Sequence, residues 1–419
     1  MASRTSRRSA ARDVDKLPSR TRLLEFSASA DFDFQFPNAS AAARQQGRAG
    51  ELYLTNLNAF VQQVLVKHPG NFRVIDDSVQ IECLAPAAWR SFDFSGQRVL
   101  FLLPSHALGN NVPVVLFIEA LREKFNLRDV GVFCTGPTHD IYLTHKAINA
   151  QPIWIGKKHL KRWHTVVDLG HLQTRQDIDV WPIDMETELL TAFGLEPSTA
   201  NYGKPRPLPR GDLQIGILPL TSTPLRTLPV SVTKILIKRL QEFGRVTLCL
   251  NRNQHQGVLY QRALGEIDPD IEMIDVFASI GDLITAIGRF DYAVFADSGP
   301  AHMSKLFGTP GVGIYTSAPG DVLQGRFRNL TPWTVPYEGS FCRAPCGLAR
   351  VRATRSGTVG CMGSLQTTLE ELPNLPRQRR PEIVKRLLLD EPVPCVAKLA
   401  DCADSLAEFI ASDIAARRP

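Results

Sequence analysis

The sequence predicts an α/β protein made of two units, each built around a parallel sheet. Three observations predict it. From Arg98 onward, short apolar runs suited to strands buried on both faces alternate with amphipathic helical segments. The alternation stops in a proline- and glycine-rich stretch, residues 196–211, and then restarts. The composition, 44% hydrophobic and 21% charged over 419 residues, supplies enough apolar material for a sizeable core and too much for a disordered chain. The longest unbroken apolar runs, such as residues 114–118, fall far short of the ~20 residues of a membrane-spanning helix.

Residues 1–48, rich in Arg, Ser and Ala with few aliphatics, are expected to form a disordered basic tail. Within residues 1–22, Arg4, Arg7, Arg8, Arg12, Lys16, Arg20 and Arg22 face only Asp13 and Asp15, so most of the formal charge of +6 sits in that stretch. The remainder is nearly neutral, which argues against a fold that binds nucleic acid specifically through a basic surface. The tail lacks the apolar stretch of a secretory signal; plain solvation is its first reading, contact with anionic lipid headgroups or nucleic acid the alternative.

The N-terminal domain, 49–195, opens with an expected helix over 52–66 and an extended piece over 72–75. Residues 98–103 (Arg-Val-Leu-Phe-Leu-Leu) predict a buried strand, followed by a turn at Gly109-Asn110-Asn111. The next helix sets Val114, Phe117, Ile118, Leu121 and Phe125 on one face at spacings of three and four. Strands are expected over 130–134, 153–155 and 165–169, and strand–helix–strand alternation implies parallel sheet with helices on both faces. Residues 196–212 read as the linker. The C-terminal domain, 213–375, predicts strands over 214–218, 246–250, 292–296 and 312–315, with helices over 229–243, 280–289 and 300–307. Residues 376–419 close the chain in two helices, 381–389 and 403–417.

Eight cysteines in a chain this long make no disulfide framework, and several sit in apolar runs as buried thiols do. A reducing, cytoplasmic compartment fits that usage. Cys342, Cys346 and Cys361 cluster, but a structural metal site shows four ligands, and the fourth would have to come from Cys395 or Cys402. A metal-free cysteine-rich loop is the favoured reading. The basic run Arg377-Gln-Arg-Arg380 reads as a solvated face, with the anionic inner leaflet as the sharper alternative.

The most informative segment is Asp297-Ser298-Gly299-Pro300-Ala301-His302, between a predicted strand and a predicted helix. Ligands of open parallel sheets bind at the carboxyl ends of strands. A helix opened by Pro300 offers its first-turn amides and positive dipole end to phosphate. Asp and Ser are also the commonest helix caps, yet a cap explains neither Gly299 nor His302. A second loop, Thr221-Ser222-Thr223-Pro224-Leu225-Arg226, has the same placement, and its hydroxyls and guanidinium suit a diphosphate as well as they suit a polar turn.

The Asp-Ser-Gly-Pro-x-His block, then Leu306-Phe307-Gly308-Thr309-Pro310 and the strand over 312–315, resembles the signature of the ADP-heptose:lipopolysaccharide heptosyltransferases, glycosyltransferase family nine. The resemblance runs, with gaps, over about residues 98–365. It implies two Rossmann-like domains in the GT-B arrangement, facing a central cleft, with the sugar nucleotide held by the C-terminal one. By match, Ser298, Gly299 and His302 face the diphosphate and Asp297 the donor sugar or its phosphate. Thr221 and Ser222 fall on phosphate-binding hydroxyls, and Arg226 on a position where the family has Lys. After the first strand the family reads Leu-Gly-Asp, the Asp serving as general base; here Asn110 takes that place and cannot accept a proton. His106, titratable and in the same loop, is the candidate substitute. Where the family carries a Glu for the ribose, this chain reads Asn251-Arg-Asn-Gln-His-Gln256.

The expectation is therefore an inverting glycosyltransferase without cofactor. It would move a heptose or similar sugar from an ADP-linked donor to a lipid-linked saccharide, the lipopolysaccharide inner core, at the cytoplasmic membrane face. The alternatives are a protein acceptor and a non-catalytic sugar-nucleotide-binding protein.

Overall fold

The structure, a computed structural model, describes residues 19–419 except 37–38, 56–59, 66, 69, 104–107, 134–137, 144, 147, 150–151, 171, 173–183, 201, 252–253, 266–270, 276–277, 340–342, 346–352, 355–356 and 359–380. The chain divides into two compact units that part after Ala200, except that Asp184 belongs with the second.

In the first unit, β1 (Ser19–Ala28), β2 (Phe32–Phe34), β3 (Gln45–Gly47), β4 (Leu52–Thr55) and β5 (Phe72–Cys83) precede the predicted alternation. Next come β6 (Arg98–Leu102), α1 (Leu108–Lys124), β7 (Asp129–Phe133) and α2 (His139–Leu143). The unit closes with β8 (Ile155–Gly156), α3 (Lys157–Leu160), β9 (Thr165–Asp168) and α4 (Met185–Phe193). The three-stranded parallel sheet β7-β6-β9 is the one the sequence predicts.

The antiparallel sheet β5-β1-β4-β8 is not, and it corrects three expectations. Residues from 19 onward in the supposed tail are structured: Leu23 and Phe26 are fully buried in a core that gathers Tyr53, Phe60 and Trp154. Ring centroids lie 5.5 Å apart for Phe26 and Phe60 and 5.0 Å for Phe60 and Trp154. The reason this strand is hard to see is a register shift on either side of Glu25, which moves the buried set from Leu23 and Glu25 to Phe26 and Ala28 and so breaks the two-residue period. The expected helix over 52–66 is instead β4 plus a short π-helical turn, Val61–Leu65. Its apolar spacing mimics a helix, but pairing with β1 on one side and β8 on the other decides for a strand. Of the strand expected over 153–155 only Ile155 is in one, and with Gly156 it pairs at that antiparallel edge rather than in a parallel sheet. Gly109-Asn110-Asn111 is not a turn before α1 but part of its first turn, and α1 is buried nearly all round rather than on one face.

The second unit contains β10 (Leu213–Leu218), α5 (Val230–Leu240), β11 (Gly244–Cys249), α6 (His255–Leu264) and β12 (Glu272–Ile274). It continues through α7 (Ile280–Arg289), β13 (Tyr292–Ala296), α8 (Gly299–Phe307), β14 (Gly311–Tyr315), α9 (Gly320–Gln324) and β15 (Leu330–Thr334). All six strands are parallel, in the order β12-β11-β10-β13-β14-β15. Read as first to sixth strand that order is 3-2-1-4-5-6, the doubly wound nucleotide-binding topology, whose switch point lies between β10 and β13. The final helices α10 (Pro381–Lys385), continued by a π-helical turn Arg386–Asp390, α11 (Pro394–Asp401) and α12 (Ala403–Arg417) are integral to this unit: Leu387 of the turn and Leu399, Leu406, Ile410 and Ile414 lie in the same core as the strands.

Candidate functional site

The two loops singled out in the sequence leave the sheet side by side. Leu218 at the end of β10 pairs with Phe295 near the end of β13, and neighbouring strands are about 4.8 Å apart. The switch point therefore brings the Thr221 loop and the Asp297 loop together, with helices departing from each.

Arg226 reaches from the first loop to the second, its Nη1 lying 3.3 Å from Oδ1 of Asp297. Asp297 is buried, and the Arg226 side chain retains 18% exposure. The contact uses one atom from each partner; Nε of Arg226 and Oδ2 of Asp297 are buried without a hydrogen-bond partner. Arg226 Nη2 also donates to the exposed Ser222 hydroxyl at 3.4 Å.

Ser298 stands at the N-cap of α8 but does not cap it: its hydroxyl donates to the carbonyl of Ala296 at 3.0 Å. The plain helix-cap reading of this motif is therefore removed. Gly299 is the first helical residue and Pro300 the second, so the first turn is closed by no side chain. His302, in the same turn, is held well below its usual titration range by burial and by the nearby charges of Lys305 and Arg226. It is a neutral imidazole, and its Nδ1 is buried without a partner. Lys305, itself buried, donates to the Leu323 carbonyl at 2.5 Å and lies 4.9 Å from the Phe327 ring centroid. The amino end of α8 thus sets the positive end of a helix dipole beside the half-used Arg226 guanidinium, which favours an anion; Lys305, in the last turn of the helix, adds only a nearby positive charge felt by His302.

Sequence reasoning did not find the rest of the site. From β14, Tyr315 has its hydroxyl pushed up by burial, accepts from the Gln324 amide, and feels the charges of Asp297 and Asp321. Thr316 and Ser317, just beyond β14, are both buried with unpartnered hydroxyl oxygens. A buried polar atom without a partner costs about 1–3 kcal/mol. Orphans on Arg226, Asp297, His302, Thr316 and Ser317 gather at the ends of three adjacent strands, where a polar ligand would find unpaired donors and acceptors. Tyr315–Ser317 sit at a strand end next to β13, a placement only the strand order reveals.

Thr221 behaves differently from a free phosphate donor. Its hydroxyl donates to the Thr223 carbonyl at 2.6 Å and accepts from the Thr223 amide at 3.1 Å, so its proton is committed to the loop. Thr227, which sequence reasoning passed over, is the hub: fully buried, it donates to the Thr223 carbonyl and accepts from the Thr221 amide and the Gln256 side chain.

In the first unit, His106 lies outside the described residues. Asn110 is half-buried in the first turn of α1, and the adjacent Asn111 accepts from Tyr142 at 2.6 Å. Cys342, Cys346 and Cys361 also lie outside the described residues. Cys395 is buried, and Cys402 is a half-buried free thiol. Among the described residues no group of three or more His, Cys, Asp or Glu is placed to hold a metal. Among them too, no helix is long and apolar enough to cross a membrane.

Neither any protein-family model nor any curated protein matches this sequence. Solved structures do resemble it. A glycosyltransferase of family nine from Veillonella parvula is 12% identical, with 58% of this chain and 87% of that one covered and a TM-score of 0.47. The E. coli heptosyltransferase WaaC, solved with ADP, is 13% identical, with 57% and 93% covered and a TM-score of 0.42. The iron-containing dodecameric glycosyltransferase TibC from enterotoxigenic E. coli is 11% identical, with 93% of each chain covered and a TM-score of 0.42. With TM-scores below one half, the function has to be read from this chain's own residues.

Proposed function

We propose that this chain is an inverting glycosyltransferase that takes a heptose or similar sugar from an ADP-linked donor and passes it to an acceptor hydroxyl. The lipopolysaccharide inner core, approached from the cytoplasmic membrane face, is the acceptor proposed. The observation that carries this reading is the Arg226–Asp297 contact at the switch point, with unpartnered buried polar atoms around it and an uncapped helix terminus beside it.

In this reading the diphosphate sits at the amino end of α8. Arg226 trades its contact with Asp297 for a phosphate oxygen, while Ser222, Ser298, the Gly299 amide and neutral His302 supply uncharged contacts and the Thr221 turn holds the loop in shape. The freed carboxylate of Asp297 then faces hydroxyls of the donor sugar. The acceptor oxygen attacks the anomeric carbon, and its proton passes to a base in the 105–111 segment, for which His106 is the candidate. The carbon–oxygen bond to the diphosphate breaks with its electron pair leaving on the phosphate. Arg226 and the helix dipole stabilise that departing charge, which is where positioned positive charge lowers the barrier most. Asn110, unable to take the proton, is assigned to holding the acceptor by hydrogen bonds.

The test is a thermal-shift comparison of ADP, UDP and GDP with the full chain, followed by ADP release from ADP-heptose with and without a lipopolysaccharide acceptor. ADP should raise the melting temperature most, and release should depend on acceptor. No shift with any of the three nucleotides would sink the nucleotide reading. A shift without release would identify a sugar-nucleotide-binding protein, and release driven only by a polypeptide acceptor would replace lipopolysaccharide with protein.

A further inference from the structure

The loop after β10 is also hydrogen-bonded to one face of α6. Gln256, at the second position of that helix, donates from Nε2 to the Thr227 hydroxyl at 2.6 Å and points the same nitrogen to the Thr221 carbonyl at 3.5 Å. Tyr260, one turn further along the same face, shares a 2.6 Å hydrogen bond with Thr233 and reaches the Pro229 carbonyl at 3.4 Å. Both side chains are buried. The Thr227 hydroxyl has one proton and two lone pairs, and all three are used: the proton on the Thr223 carbonyl, the lone pairs on the Thr221 amide and on Gln256. Removing Gln256 therefore opens a network that has no spare partner to close it.

The two ends of this tie stand at different parts of the proposed ligand. In a sheet of this strand order the diphosphate lies at the end of the first strand and the ribose at the end of the second, here β10 and β11. Gln256 belongs to the segment that follows β11 and Asn251; Thr227 belongs to the loop that carries Ser222 and Arg226.

We propose that Gln256 is a positioning residue that fixes the spacing between the nucleoside side and the diphosphate side of the site, so that a nucleoside diphosphate engages both loops at once. This rests on the nucleotide reading above. A ligand that spans both loops gains from their fixed spacing because neither has to be ordered on binding; inorganic pyrophosphate, which touches only the diphosphate side, gains little.

The experiment measures the dissociation constants of ADP and of inorganic pyrophosphate for the full chain by calorimetry. Gln256→Met, which keeps the volume and removes the donor, should weaken ADP about tenfold and pyrophosphate less than twofold. Gln256→Asn, one methylene too short to reach Thr227, should act in the same direction and serves if the first variant does not fold. Tyr260→Phe loosens the same helix face without touching Gln256 and should leave the ADP-to-pyrophosphate ratio unchanged. Equal losses for both ligands in the Gln256 variants, or the same change of ratio in Tyr260→Phe, would overturn the positioning role. A wild-type chain that binds pyrophosphate but not ADP would overturn it too. If the wild-type chain binds neither, the nucleotide reading itself fails, and this inference with it.

Discussion

At the scale of single residues, the economy of the Arg226–Asp297 pair is its most telling property. A pair serving only stability would be bidentate, with both carboxylate oxygens matched to the guanidinium fork. Here each partner leaves a buried atom unsatisfied, so exchanging one carboxylate for a diphosphate costs little and gains full pairing. Arg226→Ala should weaken ADP binding by tenfold or more. It should also cost about 1–3 kcal/mol of stability by stranding the buried Asp297, read as a lower urea midpoint. If partner exchange operates, Asp297→Asn tightens ADP binding in the wild-type background but not in Arg226→Ala; an equal gain in both would reduce the effect to simple charge repulsion. His106→Ala should abolish transfer while nucleotide affinity is retained, and undiminished activity would discard His106 as the base. The Asp297–His302 block was legible because its chemistry is contiguous along the chain. Thr227, Gln256, Thr316 and Ser317 were not, because each is an ordinary residue until a neighbouring strand or helix gives it a partner or withholds one.

At the scale of elements, two features hold the site's scaffold. Gly308 ends α8 in the left-handed conformation, φ 61°, and a Cβ there would lie 2.1 Å from the Lys204 carbonyl oxygen. Gly308→Ala therefore meets both backbone strain and a backbone clash, and should cost about 2 kcal/mol or more in urea unfolding. The last helix, α12, is pinned to the sheet by Asp413, which accepts from Tyr292 of β13 at 2.8 Å and from Thr331 of β15 at 2.5 Å. Arg417 closes the ring, donating to Asp413 at 2.7 Å and to Thr331 at 2.8 Å. Asp413→Ala removes the acceptor of the Tyr292 and Thr331 hydroxyls and of Arg417 Nε and should lower stability by about 1–3 kcal/mol, whereas Ser412→Ala next to it should leave the unfolding midpoint almost unmoved. The helix itself was plain from its periodicity; its anchoring to two particular strands was not.

At the scale of the whole molecule, two desolvated histidines contribute to the response to acid. Burial pushes His145 down to about 4 and, with two nearby cations, holds His302 well below its usual range. In the unfolded chain both titrate near 6.5. Between those limits the unfolded state binds protons that the folded state refuses, so stability falls as the pH drops below about 6.5, continues to fall toward about 4, and is fully present above 7. The urea midpoint should be clearly lower at pH 5 than at pH 7.5, and replacing both histidines with Asn should flatten that difference. An unchanged slope in the double variant would place the acid sensitivity elsewhere.

The sequence by itself determined the α/β class, most strands and helices of the second unit, and the contiguous loop motif at Asp297, because each is written in local periodicity or in a contiguous run of residues. Only the tertiary structure decided that β10 and β13 are neighbours, that a bulged strand beginning in the basic N-terminal stretch builds an antiparallel sheet, and that Gln256 meets Thr227. Buried parallel strands are near-interchangeable apolar runs, so their order follows from which crossovers and packed helices bury the most surface together, a property of the whole chain that no single segment encodes.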